Sequence, residues 1–223
     1  MGEEIPPGVL FVVIYSRIGD YTCMYFSCSE AAQRLGVTER QVQRAAASGR
    51  LEAQRVGKRF ILHERTLHVF QHTVRRGRRW SKQSIADALN LLTGKETVTT
   101  GSSRSRLKTK IRSLEVGDLA GILLQRKEVS IHRANPAQAS EIPSAVESEA
   151  GLGGGGIRVI AEHDARKAAL KRRLPIDIEG NVIAVTSERE HAQAIEAAVL
   201  AIYGSTRERT AGESVLTKLQ ESV

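Results

Sequence analysis

Residues 27–62 read SCSEAAQRLGVTERQVQRAAASGRLEAQRVGKRFIL, and the rest of the chain is organised around them. Ser27 stands three residues before Glu30, and Thr38 three before Gln41. At that spacing a side chain and a backbone amide satisfy each other's open donors at a helix start. Ala31, Ala32 and Leu35 recur at helical period in a first helix, and Val42, Ala45 and Ala46 in a second. Gly36 between them can take the positive φ that ends a helix, with Val37 plugging the turn. Glu39, Arg40, Gln43 and Arg44 are left outside, with Thr38 and Gln41 at the exposed N-terminal turn. Gly49 stops the second helix. Residues 51–56, then Gly57-Lys58, then residues 59–62 predict a hairpin with a basic tip.

The charge of the 223-residue chain is +8, and it is unevenly placed. Residues 25–80 hold 12 lysines and arginines against four acids, a net of +8. Residues 81–223 hold 20 against 18, and the first 24 residues contribute −2. A phosphate-contacting surface requires such local excess. No run is long and apolar enough to span a bilayer. Two cysteines, Cys23 and Cys28, offer neither a disulfide framework nor a zinc set, which makes a reducing cytoplasm the expected setting.

Ala31-Ala32, Leu35-Gly36-Val37-Thr38 and Gly49-Arg50-Leu51 carry a resemblance. The segment resembles the winged helix-turn-helix of the MerR and excisionase type. That resemblance implies double-stranded DNA as partner, with the second helix in the major groove. Thr38, Arg40, Gln41 and Arg44 are then the expected base contacts, since Arg can fork onto guanine and Gln onto adenine. Arg55, Lys58 and Arg59 on the wing would hold phosphates or reach the minor groove. Arg34, Arg50, Arg75, Arg76, Arg78 and Arg79 would position the protein on the backbone without specifying sequence. One such module binds weakly alone, so a homodimer or a second DNA-contacting region is expected.

The chain is accordingly expected to be α+β and mainly helical. Residues 25–80 form the winged helix-turn-helix with its basic connector, and residues 81–133 a helical module. Residues 134–156 are read as a Pro/Gly-rich linker, and residues 157–223 as a small β-α-β-α-α interaction region. Residues 1–24 contain a plausible hairpin, or else natural synthesis starts at Met24; both readings stand. In the last third, Gly180-Asn181 is read as a hairpin turn between two extended runs. Amphipathic helices there predict a protein-binding face built on Ile195, Ala198, Ile202, Val215 and Leu219.

Nothing in the sequence supports an active site, a metal or a cofactor. His68 and His72 have i, i+4 spacing near His63, but no third ligand follows, so surface histidines are expected. Gly151-Leu152-Gly153-Gly154-Gly155-Gly156 matches a dinucleotide fingerprint literally, yet it precedes a strand where the fingerprint must follow one; a hinge is expected.

A second resemblance spans most of residues 25–219. It is carried by Arg76-Gly77-Arg78-Arg79-Trp80-Ser81, by RKEVSIHRANP at residues 126–136, by Gly180-Asn181-Val182 and by STRERTAGESVLTKL at residues 205–219. The order is similar to a group of actinobacterial antitoxins paired with nucleotidyltransferase-type toxins. Ser205 stands where that group usually has an acid, and residues 1–24 and 151–156 depart from it. The resemblance implies an autorepressor whose second half holds a toxin. Two alternatives remain: an excisionase-like architectural protein, from which the extra 143 residues detract, and an effector-sensing regulator of the MerR type.

Overall fold

A computed structural model describes residues 25–73, 80–125, 127–146 and 156–223. The N-terminal hairpin reading, Arg75–Arg79 and most of the glycine run lie outside the described residues. The fold is α+β with two small three-stranded sheets, and the chain divides into two compact units between Gln71 and His72.

In the first unit, β1 (Tyr25–Ser27) leads directly into α1 (Cys28–Leu35) and α2 (Glu39–Ala47). Both predicted capping boxes form: the Ser27 amide donates to Glu30 at 2.7 Å, and the Thr38 amide to Gln41 Oε1 at 2.9 Å. Gly36 takes φ 63° and lets Val37 N–H reach the Ala32 carbonyl at 3.0 Å, closing the turn. β2 (Gln54–Val56) and β3 (Arg59–His63) pair antiparallel, and β1 pairs on the other side of β3. Gly57 supplies φ 61° at the first position of the two-residue loop. α3 (Glu64–Thr73) follows. Ala31, Val42, Ala45, Leu51, Leu62 and Leu67 form the core of this unit.

The second unit departs from the predicted modules. α4 (Lys82–Leu92), α5 (Gly101–Ser113) and α6 (Val116–Leu123) are present, but the chain then enters a strand, β4 (Val129–His132). After α7 (Pro136–Ser140) come β5 (Arg158–Glu162), α8 (Ala165–Lys171), β6 (Val182–Thr186), α9 (Ala192–Tyr203) and α10 (Thr206–Glu221). The sheet order is β4-β6-β5, with β4 antiparallel and β5 parallel to the central β6. The expected hairpin at Gly180-Asn181 is therefore corrected. Residue 176 makes only an isolated bridge to His132, and the antiparallel neighbour of β6 comes from fifty residues upstream. Gly180 serves close approach instead, because a Cβ there would collide with the His132 carbonyl.

The linker and the boundary near residue 133 are corrected as well. Ile142 and Val146 are buried, and the Glu196 carboxylate accepts from Ser144 Oγ and, at 2.6 Å, from the Ala145 amide. This stretch is built into the same unit as the helices before it and the strands after it. Burial pushes the Glu196 carboxyl up, against the hydrogen bonds that lower it.

α8 covers one face of the sheet through Ile160, Val182 and Ala184. Val159, Ile183 and Val185 alternate to the other face, the side on which α9 contacts β5. α6 and α10 pack against α9 in turn, so α9 is enclosed and every residue from Ala194 to Ile202 is buried. Gly212 lets α10 approach α9: a Cβ there would lie 2.6 Å from the Ala197 carbonyl oxygen and 2.7 Å from the Ala201 amide nitrogen. Among the described residues no helix is long and apolar enough to cross a membrane.

Candidate nucleic-acid interface

α2 is fixed at its start by Thr38 and at its end by Gly49, which takes φ 69°. Val42 and Ala45 turn inward. One hundred degrees per residue then puts Arg40 and Arg44 on the opposite, outward side, about 6 Å apart along the axis. Both are exposed, and neither has an intramolecular partner among the described residues. The hairpin offers the same combination at Lys58 and Arg59. Comparison of the chain with protein-family models, with curated proteins and with solved structures finds no match. The site therefore rests on geometry and residue chemistry.

The remaining predicted contacts divide by what already holds them. Thr38 Oγ1 accepts from the Gln41 amide at 3.3 Å and donates to Gln41 Oε1 at 3.1 Å. A bidentate grip on adenine needs both the oxygen and the nitrogen of Gln41. The cap occupies that oxygen, so in this structure Gln41 serves as the helix cap with Thr38 as its partner. Gln43, not among the expected base contacts, lies nearer the outward side and is tied to Glu39 by a 3.0 Å hydrogen bond. Its helical position was the signal that could have found it.

Arg34 is half-exposed and already engaged within the unit. Its guanidinium stacks 4.1 Å over the Phe26 ring and lies 3.5 Å from the Glu64 carboxylate, so it joins α1 to β1 and α3. Arg50 Nε donates to Ser48 Oγ at 3.2 Å, and Arg55 Nε to the Gly57 carbonyl at 3.2 Å. Arg55 thus braces the hairpin loop and is itself exposed. Arg75, Arg76, Arg78 and Arg79 lie outside the described residues.

His63 is not the surface histidine expected. It is 9 % exposed, edge-on to the Tyr25 ring with centroids 5.3 Å apart, and its Nδ1 accepts from the Arg65 amide at 3.1 Å. Cys28 is buried beneath the hairpin, where burial pushes its thiol up and keeps it protonated. Among the described residues no group of three or more His, Cys, Asp or Glu is placed to hold a metal ion.

The predicted partner face of the second unit is corrected most fully. Ile195, Ala198, Ile202 and Val215 are at most 1 % exposed, and Leu219 is half-buried. Their apolar area is already used within the unit. The sequence stripe was real, but it marked a core helix.

Proposed function

We propose that residues 25–71 act as a winged helix-turn-helix on duplex DNA, and that the protein is a sequence-specific transcriptional repressor. In this reading α2 enters the major groove, Arg40 and Arg44 read base edges, and the β2–β3 hairpin lies on the flanking backbone. The observation that carries it is the pairing of two outward, unpartnered arginines on a capped helix with unpartnered Lys58 and Arg59 at the hairpin tip. Arginine forks onto guanine O6 and N7, which gives sequence dependence, whereas a lysine on a phosphate gives affinity without it. A homodimer would place two such helices on half-sites about 34–36 Å apart.

The test is a binding titration of the full chain on the upstream region of its own gene and on random duplex. Arg44→Ala lowers discrimination between the two by about 1–3 kcal/mol. Lys58→Ala weakens both by the same factor. Equal losses from both variants on both DNAs refute the division of roles, and a footprint without two-fold symmetry refutes the dimer.

A further inference from the structure

α5 is an expensive helix for what it does inside the second unit. Its sequence, GSSRSRLKTKIRS, holds five cations and no acid. Arg104, Lys108 and Arg112 follow one another at i, i+4, as do Arg106 and Lys110, and like charges at that spacing repel. Arg104 sits in the first turn, where the helix dipole disfavours a cation, and Thr100 provides no side-chain cap. Only Ile111 is fully buried, with Leu107 half-buried beside it. Lys110 and Arg112 in the last turn are favoured by the dipole, but the repulsion along the Arg104–Lys108–Arg112 row is relieved only by an anion.

The cations divide by residue type. Both lysines are held within the unit: Lys108 Nζ donates to the Val223 carbonyl oxygen at 2.8 Å, and Lys110 Nζ lies 4.6 Å above the Trp80 ring. Gln220 Nε2 fixes the far end of the helix through the Ile111 and Leu114 carbonyls, at 2.6 and 2.8 Å. The three arginines, Arg104, Arg106 and Arg112, are exposed and have no intramolecular partner among the described residues. The helix is thus anchored by its lysines while its planar, phosphate-matching forks stay free.

We propose that α5 is a second DNA-contacting element, taking the phosphodiester backbone of a duplex. At about 100° per residue Arg104 and Arg112 lie about 80° apart around the helix, with Arg106 on its other flank. The three forks therefore reach phosphates on both sides of the helix and not on one face. Arg104 and Arg112 stand about 12 Å apart along the helix axis, about the width of the major groove. Ser102 and Ser105 lie exposed on the outward side, where hydroxyls can also donate to phosphate. A single-strand surface needs aromatic platforms for the bases. α5 has no aromatic residue, and nearby Trp80 is buried under Lys110. The inference stands on the second unit alone and does not require α2 to read bases.

The test uses the full chain with duplex DNA of random sequence, titrated between 50 and 200 mM salt. The combined Arg104→Ala, Arg106→Ala and Arg112→Ala variant flattens the log–log salt dependence by about 0.9 for each phosphate left without its arginine. It weakens all sequences by one factor. Replacing the same three arginines with lysine restores most of the slope. An unchanged slope in the alanine variant overturns the proposal, as does a loss that lysine does not restore, or a stronger grip on single strands than on duplex. A parallel Arg40→Ala, Arg44→Ala variant separates this from the first unit's role. If sequence discrimination survives that variant while the α5 slope change persists, the base-reading proposal fails and this one stands.

Discussion

The two units reach stability by different routes. In residues 25–71 the helix starts and turns are fixed by contacts close in sequence: Ser27 with Glu30, Thr38 with Gln41, Val37 with Ala32, Val56 with Arg59 across a two-residue loop. In the second unit they lie far apart. β4 pairs with β6, Ser144 reaches Glu196, and Gln220 reaches Ile111 over more than a hundred residues. The difference shows in the surfaces. The small unit, with modest helices held by caps, leaves α2 and the hairpin tip outward. The larger unit encloses α9 from Ala194 to Ile202.

Four substitutions break or sharpen that contrast. Ile195→Ala empties part of a closed core and is expected to cost about 2–5 kcal/mol, read as a lowered unfolding midpoint of the second unit with the first unchanged. Were Ile195 a partner-facing residue, the midpoint would not move. Next is Asp87, fully buried on α4's inner face. Its carboxylate accepts from the Val98 amide at 2.9 Å, from Gln83 at 3.2 Å and from Thr99 Oγ1, pinning the loop between α4 and α5. Asp87→Asn is expected to cost about 1–3 kcal/mol.

Asp87 also gives the unit a pH signature. Burial raises the Asp87 carboxyl, the hydrogen bonds from Thr99, Val98 and Gln83 lower it, and the net is below its ordinary value of 3.8. The unfolded chain therefore takes up the proton first on acidification. The stability this group contributes is present above pH 3.8 and is lost as pH falls through the folded value. Asp87→Asn removes that part of the acid dependence, and denaturant melts from pH 6 down to about pH 2 measure it.

Thr38→Ala tests the small unit, with an expected loss of about 1 kcal/mol from the cap, the same with and without salt. A loss of DNA discrimination with no loss of stability would make Thr38 a base contact and not only a cap. Smallest is Arg40→Ala, which touches nothing in the fold and should change stability by less than about 0.5 kcal/mol. A larger change would mean that its side chain serves the fold and not DNA.

What was legible in the sequence follows the same line. Capping boxes, the Gly36 turn and the Gly57-Lys58 hairpin are written within a few residues, and each forms where its residues stand. Gly180-Asn181 obeyed the same local grammar and misled, because the strand that needs the glycine lies near residue 132. The stripe of Ile195, Ala198 and Ile202 gave the correct apolar face of α9. It could not tell that Ala197 and Ala201 on its other sides are covered as well. Small residues read as a weak face when they mark close helix contact. At the candidate interface, residue type found Arg40 and Arg44. Only side-chain geometry showed that Gln41 is committed to Thr38, and Arg34 to Phe26 and Glu64.

The strand order β4-β6-β5 has a consequence for how the chain is made. β6, the strand to which both others bond, is the last of the three to leave the ribosome. From His132 to Val182 the growing chain adds fifty residues, roughly 3–10 seconds of synthesis. Throughout that interval β4 has its ladder groups open, and β5 shares the later part of the wait. An unpaired edge of this kind invites pairing with another nascent chain. Ribosomes pausing shortly before residue 182 would therefore be expected to release aggregates, and the same pause once β6 has fully emerged would not.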